Sequence, residues 1–531
     1  MLRALRPPAL SWAAILICCA FVRGQERRDF FIRVGEGDSL DATSFTPSLP
    51  PPPAGYPVLL MVHGFGDTKE ARIPSCSIYA QSGYLTIAYT VRGHGRSTGL
   101  TGIMSTAERR DLSAVLDFVR HMPLVDSNAV GLIGGSQGGL HALWAAADRL
   151  PVRALSADAI IPRWASDMFI NGSIRRTFVL LLQAPGVRYT PERDSLWKLL
   201  RDDRYTELRD RFSRGRDIDT VLLESAGRPL LEFVKWQDHY FSAGEGVREF
   251  LRYRGPKKLY AGTQGHFSDE ADSERIFQYS QVTRWFNYYL RSIATGIDTE
   301  AAYTFSMSSL PVDTDGAFHW TRRVSPRWPP VPLRMERFYL CPDSVLSVNP
   351  PEAVRYRLTL ENRYTDTGYR FDQGYIEGFR GSRFQTIIPQ QILSWSTDLL
   401  DSDLVWNGEP VMHIPARSGQ TVFPLHLQIY ETDSSGRSYF INRINFTARR
   451  WKRNSVGIIN AAGIAHAHRF SRGSRIRIVL TNIDVTSRKQ LGEYPFVIPL
   501  FRNTSVDIIS TKRNPSWVEI PCENVPVFRH H

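Results

Sequence analysis

The stretch VGLIGGSQGGLHAL, residues 130–143, decides the fold. Its apolar start is typical of a buried strand, stops at the small or polar residues GGSQG (134–138), and is followed by a helical pattern. A chain turns this sharply only where the neighbouring side chains are very small. The pattern therefore predicts a strand, a tight turn with Ser136 at its tip, and a helix.

Strand and helix patterns alternate on both sides of this turn. A hairpin is predicted first, at 29–45, and the later strands are predicted at 57–64, 84–93, 129–136, 152–161, 228–238 and 257–266. Helices are predicted at 70–82, 105–122 and 137–150, and a long helix ends near residue 293. Alternation of this kind predicts an α/β fold with a mostly parallel sheet covered by helices on both faces.

The composition and the secondary-structure pattern of the sequence change twice along the chain. The helical, charged stretch at about 162–227 interrupts the alternation and predicts an inserted cap within a catalytic domain at 25–300. A proline-rich, aromatic stretch at 301–330 is predicted to be a connector. Many short strands without helices follow at 331–531, which is typical of an all-β sandwich or jelly-roll domain.

The bulk composition is that of a folded protein with more than one domain. The chain has 531 residues, of which 42% are hydrophobic, and a formal net charge of +12. Its arginines are scattered, and no zinc-finger spacing or aromatic RNA-binding signature accompanies them. We therefore expect no nucleic-acid partner; whether the chain forms a homo-oligomer stays open.

Residues 1–24 have the features of a signal peptide. Arg3 and Arg6 precede a short apolar run at 9–22, and cleavage before Gln25 is expected. An uncleaved anchor is the alternative. We expect an exported protein, periplasmic or extracellular, without a membrane span after removal of the signal.

Three cysteines lie beyond the predicted signal peptide: Cys76, Cys341 and Cys522. An odd number leaves at least one thiol free. Cys341 and Cys522 lie in the same half of the chain, so they form a disulfide in an oxidising compartment or stay as two buried free thiols.

The turn matches G-x-S-x-G between a strand and a helix, which is the pattern of a nucleophile elbow. An elbow serine needs an acid and then a histidine later in the chain. Asp238 and His266 stand in that order at the ends of two predicted strands, so we expect His266 to accept the proton of Ser136 and Asp238 to orient His266. Asp158, late in the strand after the elbow helix, is the alternative acid.

Two backbone amides are predicted to hold the oxyanion, those of Phe65 and Gln137. Phe65 lies in the loop HGFGD (63–67), which follows the first buried strand, and His63 is predicted to order that loop. No metal or other cofactor is expected. His466 and His468, in the segment HAH, have no further ligands in sequence, so we expect a structural role for both.

These motifs together resemble the cocaine esterase/X-Pro dipeptidyl-peptidase family of serine hydrolases. The resemblance rests on HGFGD (63–67), RGHGRSTG (92–99), GGSQGG (134–139), VKWQDHYF (234–241) and LYAGTQGH (259–266). It implies an α/β-hydrolase fold with a helical cap, followed by a C-terminal jelly roll. Many members have a tyrosine after the nucleophile and a tyrosine in the oxyanion hole, whereas this chain has Gln137 and Phe65.

The sequence thus predicts a secreted serine hydrolase that cleaves ester or amide bonds of a small-molecule ester or a short peptide. A true X-Pro dipeptidyl aminopeptidase or an α-amino-acid ester hydrolase is the alternative within the same class. A non-catalytic protein that binds glycans or a cell surface is the alternative from another class.

Overall fold

The structure, a computed structural model, describes residues 25–236, 238–264, 266, 272–314, 316–352, 355–365, 387–488 and 492–528. The predicted signal peptide lies outside the described residues. Within these ranges, no helix is both long and apolar enough to span a membrane.

A central sheet carries the first half of the chain. Its strands are β1 (Glu26–Arg33), β2 (Ser39–Thr46), β3 (Tyr56–Val62), β4 (Leu85–Tyr89), β5 (Val125–Gly135), β6 (Ala154–Asp158), β7 (Leu230–Trp236), β8 (Lys257–Gln264) and β9 (Tyr303–Val312). They pair in the order β1-β2-β4-β3-β5-β6-β7-β8-β9. All pairs from β4 to β9 are parallel, so the carboxyl ends of these strands meet at one edge.

Helices cover both faces of this sheet and form the cap. They are α1 (Ile73–Gln81), α2 (Thr106–Arg120), α3 (Gln137–Ala147), α4 (Trp164–Asp167), α5 (Arg176–Leu182), α6 (Glu192–Arg201), α7 (Tyr205–Ser213), α8 (Thr220–Glu224), α9 (Ala243–Arg252) and α10 (Asp272–Arg291). Strand β3 shows the two-sided burial: Leu60 packs with the α2 and α3 side, whereas Leu59 packs with the α1 and α10 side.

The second half of the described chain is built from strands. They are β10 (Phe318–Ser325), β11 (Arg334–Leu340), β12 (Leu346–Ser347), β13 (Arg355–Asn362), β14 (Ile392–Ser396), β15 (Leu404–Gly408), β16 (Val411–Arg417), β17 (Phe423–Thr432), β18 (Ser438–Ala448), β19 (Val456–Ala462), β20 (His466–Phe470), β21 (Arg475–Thr481), β22 (Val485–Arg488), β23 (Gly492–Pro495), β24 (Thr504–Thr511) and β25 (Trp517–Cys522). One sheet has the order β14-β21-β17-β18. A separate hydrophobic core of this region includes Trp395, Trp406 and Phe423.

The predicted fold class is confirmed: a mostly parallel α/β core is followed by a region rich in β-strands. The predicted connector differs, because 301–330 contains β9 and β10, and β9 is the last parallel strand of the central sheet. The prolines of this stretch obscured the strand pattern of Tyr303–Val312, whose first seven residues are buried.

Cys76, Cys341 and Cys522 are buried free thiols, so the two later cysteines do not form a disulfide. Burial raises the pKa of the Cys76 thiol to about 12, which keeps this side chain protonated and unreactive at neutral pH.

Candidate active site

Ser136 lies between β5 and α3 in a strained backbone conformation, with φ 55° and ψ −121°. Its amide donates to the carbonyl of Asp158, 2.8 Å away, which anchors the turn to the end of β6. The flanking glycines are required sterically. A Cβ atom on Gly134 would lie 2.1 Å from the Gly138 carbonyl carbon, and one on Gly138 would lie 2.2 Å from the Val62 carbonyl oxygen.

The structure brings Asp238 and His266 together. Asp238 Oδ2 lies 2.8 Å from His266 Nδ1, and both side chains are almost fully buried. Burial alone would raise the pKa of Asp238, but the charge and hydrogen bond of His266 lower it below its ordinary value. An ionised Asp238 accepts the Nδ1 proton of His266, which leaves Nε2 as the ring's acceptor.

Aromatic rings hold the imidazole of His266 in place. The Tyr240 ring centroid lies 4.4 Å from that of His266, and the Phe241 centroid lies at 5.5 Å. The same loop bonds back to the acid, because the Tyr240 amide donates to Asp238 Oδ1 over 2.8 Å. The residues that follow Asp238 therefore orient both members of the pair.

No hydrogen bond joins Ser136 Oγ to His266 among the residues that the structure describes. Asp158, the alternative acid, makes no hydrogen bond to His266 in the same part of the chain. Its Oδ1 lies 3.4 Å from the ammonium of Lys235 instead.

The loop that follows β3 lies beside Ser136. A Cβ atom on Gly64 would be 3.8 Å from Ser136 Cβ. Within the described ranges, the amides of Phe65 and Gln137 donate no hydrogen bond, so both remain available to an oxyanion. The amide of Gln137 also lies at the N-terminal end of α3, where the helix dipole favours negative charge.

His63 orders this loop. It is fully buried, its Nε2 accepts from the Val91 amide at 2.9 Å, and its Nδ1 lies 2.7 Å from the Gly64 carbonyl oxygen. Burial holds the pKa of His63 well below its ordinary value. A neutral His63 with both nitrogens engaged is a structural residue of the loop.

No sequence motif predicted the contacts that support Asp238. Arg175 is fully buried at the start of α5 and donates from Nη1 to the Asp238 carbonyl at 3.3 Å and from Nη2 to Ser242 Oγ at 2.5 Å. Asp167 accepts from Arg175 Nη2 at 2.9 Å and from the Ser242 amide at 2.7 Å. These residues lie in or next to the irregular cap sequence and belong to no motif, so only the structure reveals them.

His466 and His468 have protein partners rather than a common ligand. Ser308 Oγ lies 3.0 Å from His466 Nε2 and 2.8 Å from His468 Nδ1. Over the described ranges, no group of three or more His, Cys, Asp or Glu side chains is arranged to hold a metal ion.

Residues 36–268 match the model of the X-Pro dipeptidyl-peptidase S15 family, and this match includes the elbow, the acid and the histidine. The match covers less than half of the chain, and over this region the sequence is similar to that family. The resemblance predicted from the motifs is thereby confirmed, and the S15 family assignment supports a hydrolase.

Solved structures share the fold of this protein over nearly its whole length. A CocE/NonD family hydrolase from Staphylococcus aureus has a TM-score of 0.71 at 12% identity, covering 94% of each chain. An α-amino acid ester hydrolase has a TM-score of 0.68 at 15% identity, covering 97% of this chain and all of its own. At these identities the likeness concerns the fold alone.

Curated relatives match a short stretch only. A thiohydrolase of Aspergillus aculeatus is 32% identical over 96 residues, which is 18% of this chain and 30% of that protein. An uncharacterised 31.7 kDa protein of Escherichia coli is 28% identical over 102 residues, 19% of this chain and 36% of its own length. The chain thus spans about a third of each of these relatives.

Proposed function

We propose that this protein is a serine hydrolase that cleaves ester or amide bonds through an acyl-enzyme. The observation that carries the proposal is the strained elbow of Ser136 at the same sheet edge as the buried Asp238–His266 pair. The S15 family match supports the same chemistry.

In the proposed mechanism, Ser136 attacks the carbonyl carbon of the substrate while His266 Nε2 takes the proton from Oγ. The amides of Phe65 and Gln137 stabilise the negative charge that develops on the carbonyl oxygen. His266 then donates its proton to the leaving group, and water hydrolyses the acyl-enzyme by the same route. Catalytic hydrogen bonds of the serine–histidine type commonly tighten only in the substrate complex.

Substitution of the nucleophile tests this proposal. Ser136→Ala should lower the turnover of p-nitrophenyl acetate by roughly 10⁴–10⁶. Ser435→Ala, in an exposed hairpin turn of the β-strand region, is the matched control and should keep wild-type turnover. Wild-type turnover in Ser136→Ala would refute the proposal.

X-Pro dipeptidyl peptidase activity is the second candidate, favoured by the description of the matched family. Hydrolysis of Gly-Pro p-nitroanilide, compared with that of p-nitrophenyl acetate, separates the two activities. A kcat/KM for the prolyl anilide above that for the ester would favour the peptidase.

We also propose that residues 1–24 direct export, because their charged start and short apolar run have the pattern of a signal peptide. N-terminal sequencing of the protein secreted by its host tests this, with Gln25 expected as the first residue. A mature chain that retains the apolar run would contradict it.

A further inference from the structure

A cavity of about 290 Å³ lies beside the candidate active site, on the side of the sheet that α1 and α10 cover. His266 lines it, and so does Gly135, the residue before the nucleophile. Because the histidine of such a triad delivers its proton to the leaving group, the leaving group lies on the histidine side of the serine. The cavity is therefore placed to receive part of a leaving group.

Arg72 gives this cavity an anion-binding group. Its Nε donates to the Val62 carbonyl at 3.1 Å, and Nη2 lies 3.5 Å from the position that a Cβ atom on Gly135 would occupy. Throughout the described residues, the two terminal amino groups of Arg72 donate no hydrogen bond and no carboxylate pairs with them. A planar guanidinium with both terminal amino groups available binds a carboxylate through two parallel hydrogen bonds.

Two other charged side chains of the cavity, Lys235 and Asp158, pair with each other, and Arg275 is a further cation in its lining. Lys235 is almost fully buried, with Nζ 3.4 Å from Asp158 Oδ1 and 2.8 Å from Gln278 Oε1. Asp158 therefore pairs with Lys235, and Arg72 has no ion pair among the described residues.

We infer that this cavity is a subsite for a carboxylate carried by the leaving group of the substrate. The inference rests on the proposed function, because it assigns a substrate class to the same active site: esters or amides whose alcohol or amine part bears a carboxylate. In the acyl-transfer step the bond to that part breaks, His266 protonates it, and the carboxylate stays bound to Arg72 throughout.

Three aryl esters test the inference, each with its rate normalised to its own alkaline hydrolysis: 4-carboxyphenyl acetate, phenyl acetate and 4-(trimethylammonio)phenyl acetate. The wild type should prefer the carboxylated ester over the neutral ester by about ten- to a hundredfold in kcat/KM, the range expected for hydrogen bonds to a charged group. Equal rates, or a preference for the cationic ester, would overturn the inference. The cationic ester is included because three acidic residues follow His266 in sequence and would favour a cation: Asp269, Glu270 and Asp272.

Variants then assign the preference to the cavity. Arg72→Gln should reduce the ratio of the carboxylated to the neutral ester by at least about tenfold. Arg453→Gln removes the same charge from an exposed position of the β-strand region and should leave the ratio unchanged. A ratio that stays constant in Arg72→Gln, or that falls equally in both variants, would overturn the inference.

A binding measurement keeps the inference testable when turnover or the Arg72 variant fails. Calorimetric titration of the wild-type protein should detect 4-hydroxybenzoate binding at least about tenfold tighter than phenol. Absence of that difference overturns the carboxylate subsite. Failure of Ser136 to react with a fluorophosphonate would instead refute the proposed function, so the two failures are distinguishable.

Discussion

At the scale of single residues, the reactivity expected of the Ser136 hydroxyl depends on the groups that surround it. A serine hydroxyl is a weak nucleophile until a base takes its proton. The strained conformation of Ser136, with φ 55°, stores energy that the flanking glycines and the bond to the Asp158 carbonyl hold in place. Strain at such a point is typical of a functional site.

The choice between the two candidate acids is testable at this scale. Asp238→Asn should lower kcat by about 10⁴, because the amide favours the wrong tautomer of His266. Asp158→Asn should lower kcat far less, because its carboxylate pairs with Lys235, whereas Asp238 is the carboxylate that contacts His266. Kinetics of both variants on p-nitrophenyl acetate provide the measurement, and a larger loss in Asp158→Asn would reverse the assignment.

At the residue scale, the sequence predicts the motif residues of the site but not the residues that support them. Ser136, Asp238 and His266 carry their signal in local patterns at strand ends, and the structure brings the last two into contact. Arg72 and Arg175 gave no such signal. Their partners lie on other elements of the fold, and an arginine in a charged sequence has no pattern that distinguishes a buried side chain from an exposed one.

At the scale of elements, the loop after β7 is held by the cap. Arg175 immediately precedes α5 and donates to the carbonyl of Asp238, and Asp167 of α4 accepts from both Arg175 and Ser242. Arg175 also lies over the ring of Phe496 from the β-strand region, 5.2 Å from its centroid. One buried guanidinium thus connects the cap, the loop after β7 and the second half of the chain.

Arg175 is therefore expected to act as a positioning residue. Arg175→Met should lower kcat by about 10²-fold, since a displacement of about 1 Å in a catalytic group costs this much, with KM little changed. Arg175→Lys should recover part of the loss. Kinetics with p-nitrophenyl acetate measure both.

The matched control is Arg216→Met. Arg216 is also buried in the cap but donates to the carbonyls of Gly102 and Ile103 rather than to the loop after β7. Equal kcat losses in the two methionine variants would mean that Arg175 acts only through the stability of the cap.

The packing of β7 against α9 buries the carboxyl of Glu232. Oε1 of Glu232 is buried and unpartnered within the described part of the chain, and Glu249 of α9 is its nearby acidic neighbour. Burial, followed by the charge of Glu249, raises the pKa of Glu232 to about 8. The folded protein therefore holds a proton on Glu232 that the unfolded chain releases at a lower pH.

This pKa predicts a loss of stability with rising pH. Between the ordinary carboxyl pKa and about 8, the folded state binds more protons than the unfolded state, so the free energy of unfolding falls by up to about 1.4 kcal/mol per pH unit. Glu232→Gln removes this dependence and should raise Tm over wild type at pH 8.5 but hardly at pH 5. Calorimetric Tm values that differ equally at both pH values would contradict it.

Elements with strong periodicity were predictable, whereas their ends and their pairings were less so. The predicted strand at 84–93 ends at Tyr89, because the following glycine-rich residues turn away from the sheet. The strand Tyr303–Val312 was missed altogether. Its burial comes from pairing with β8 and β10, which are contacts that a local pattern does not encode.

At the scale of the whole molecule, β9 joins the central sheet to the β-strand region. It pairs with β20 in parallel register, with His468 opposite Ser308. A fully buried chain of hydrogen bonds crosses this junction: Ser308 Oγ to His468 Nδ1 over 2.8 Å, and His468 Nε2 to Glu431 Oε2 over 2.9 Å. The arrangement imitates a catalytic triad but is closed to solvent, so its role is to join the two halves.

Glu431→Gln should destabilise the whole protein. The amide cannot accept the His468 hydrogen bond as a carboxylate does, and such a buried charged bond is worth about 1.5–3 kcal/mol. We expect Tm to fall by several degrees in scanning calorimetry. Glu519→Gln, which breaks a partly exposed pair with Arg337, should cost less than about 1 kcal/mol. A smaller effect in Glu431→Gln than in Glu519→Gln would contradict this role.

The architecture was predictable from the order of the elements along the chain. Alternating strands and helices, followed by strands alone, are compatible with few folds. The contact between the two halves was not predictable, because Ser308, Glu431 and His468 are far apart in sequence and belong to different strands.

The most direct test of the central claim is covalent labelling of the nucleophile. The wild-type protein is treated with a fluorophosphonate, and peptide mass spectrometry locates the adduct. We expect one adduct on Ser136, absent in Ser136→Ala and formed much more slowly in His266→Ala. An unlabelled wild-type protein, or an adduct that persists in Ser136→Ala, would contradict it.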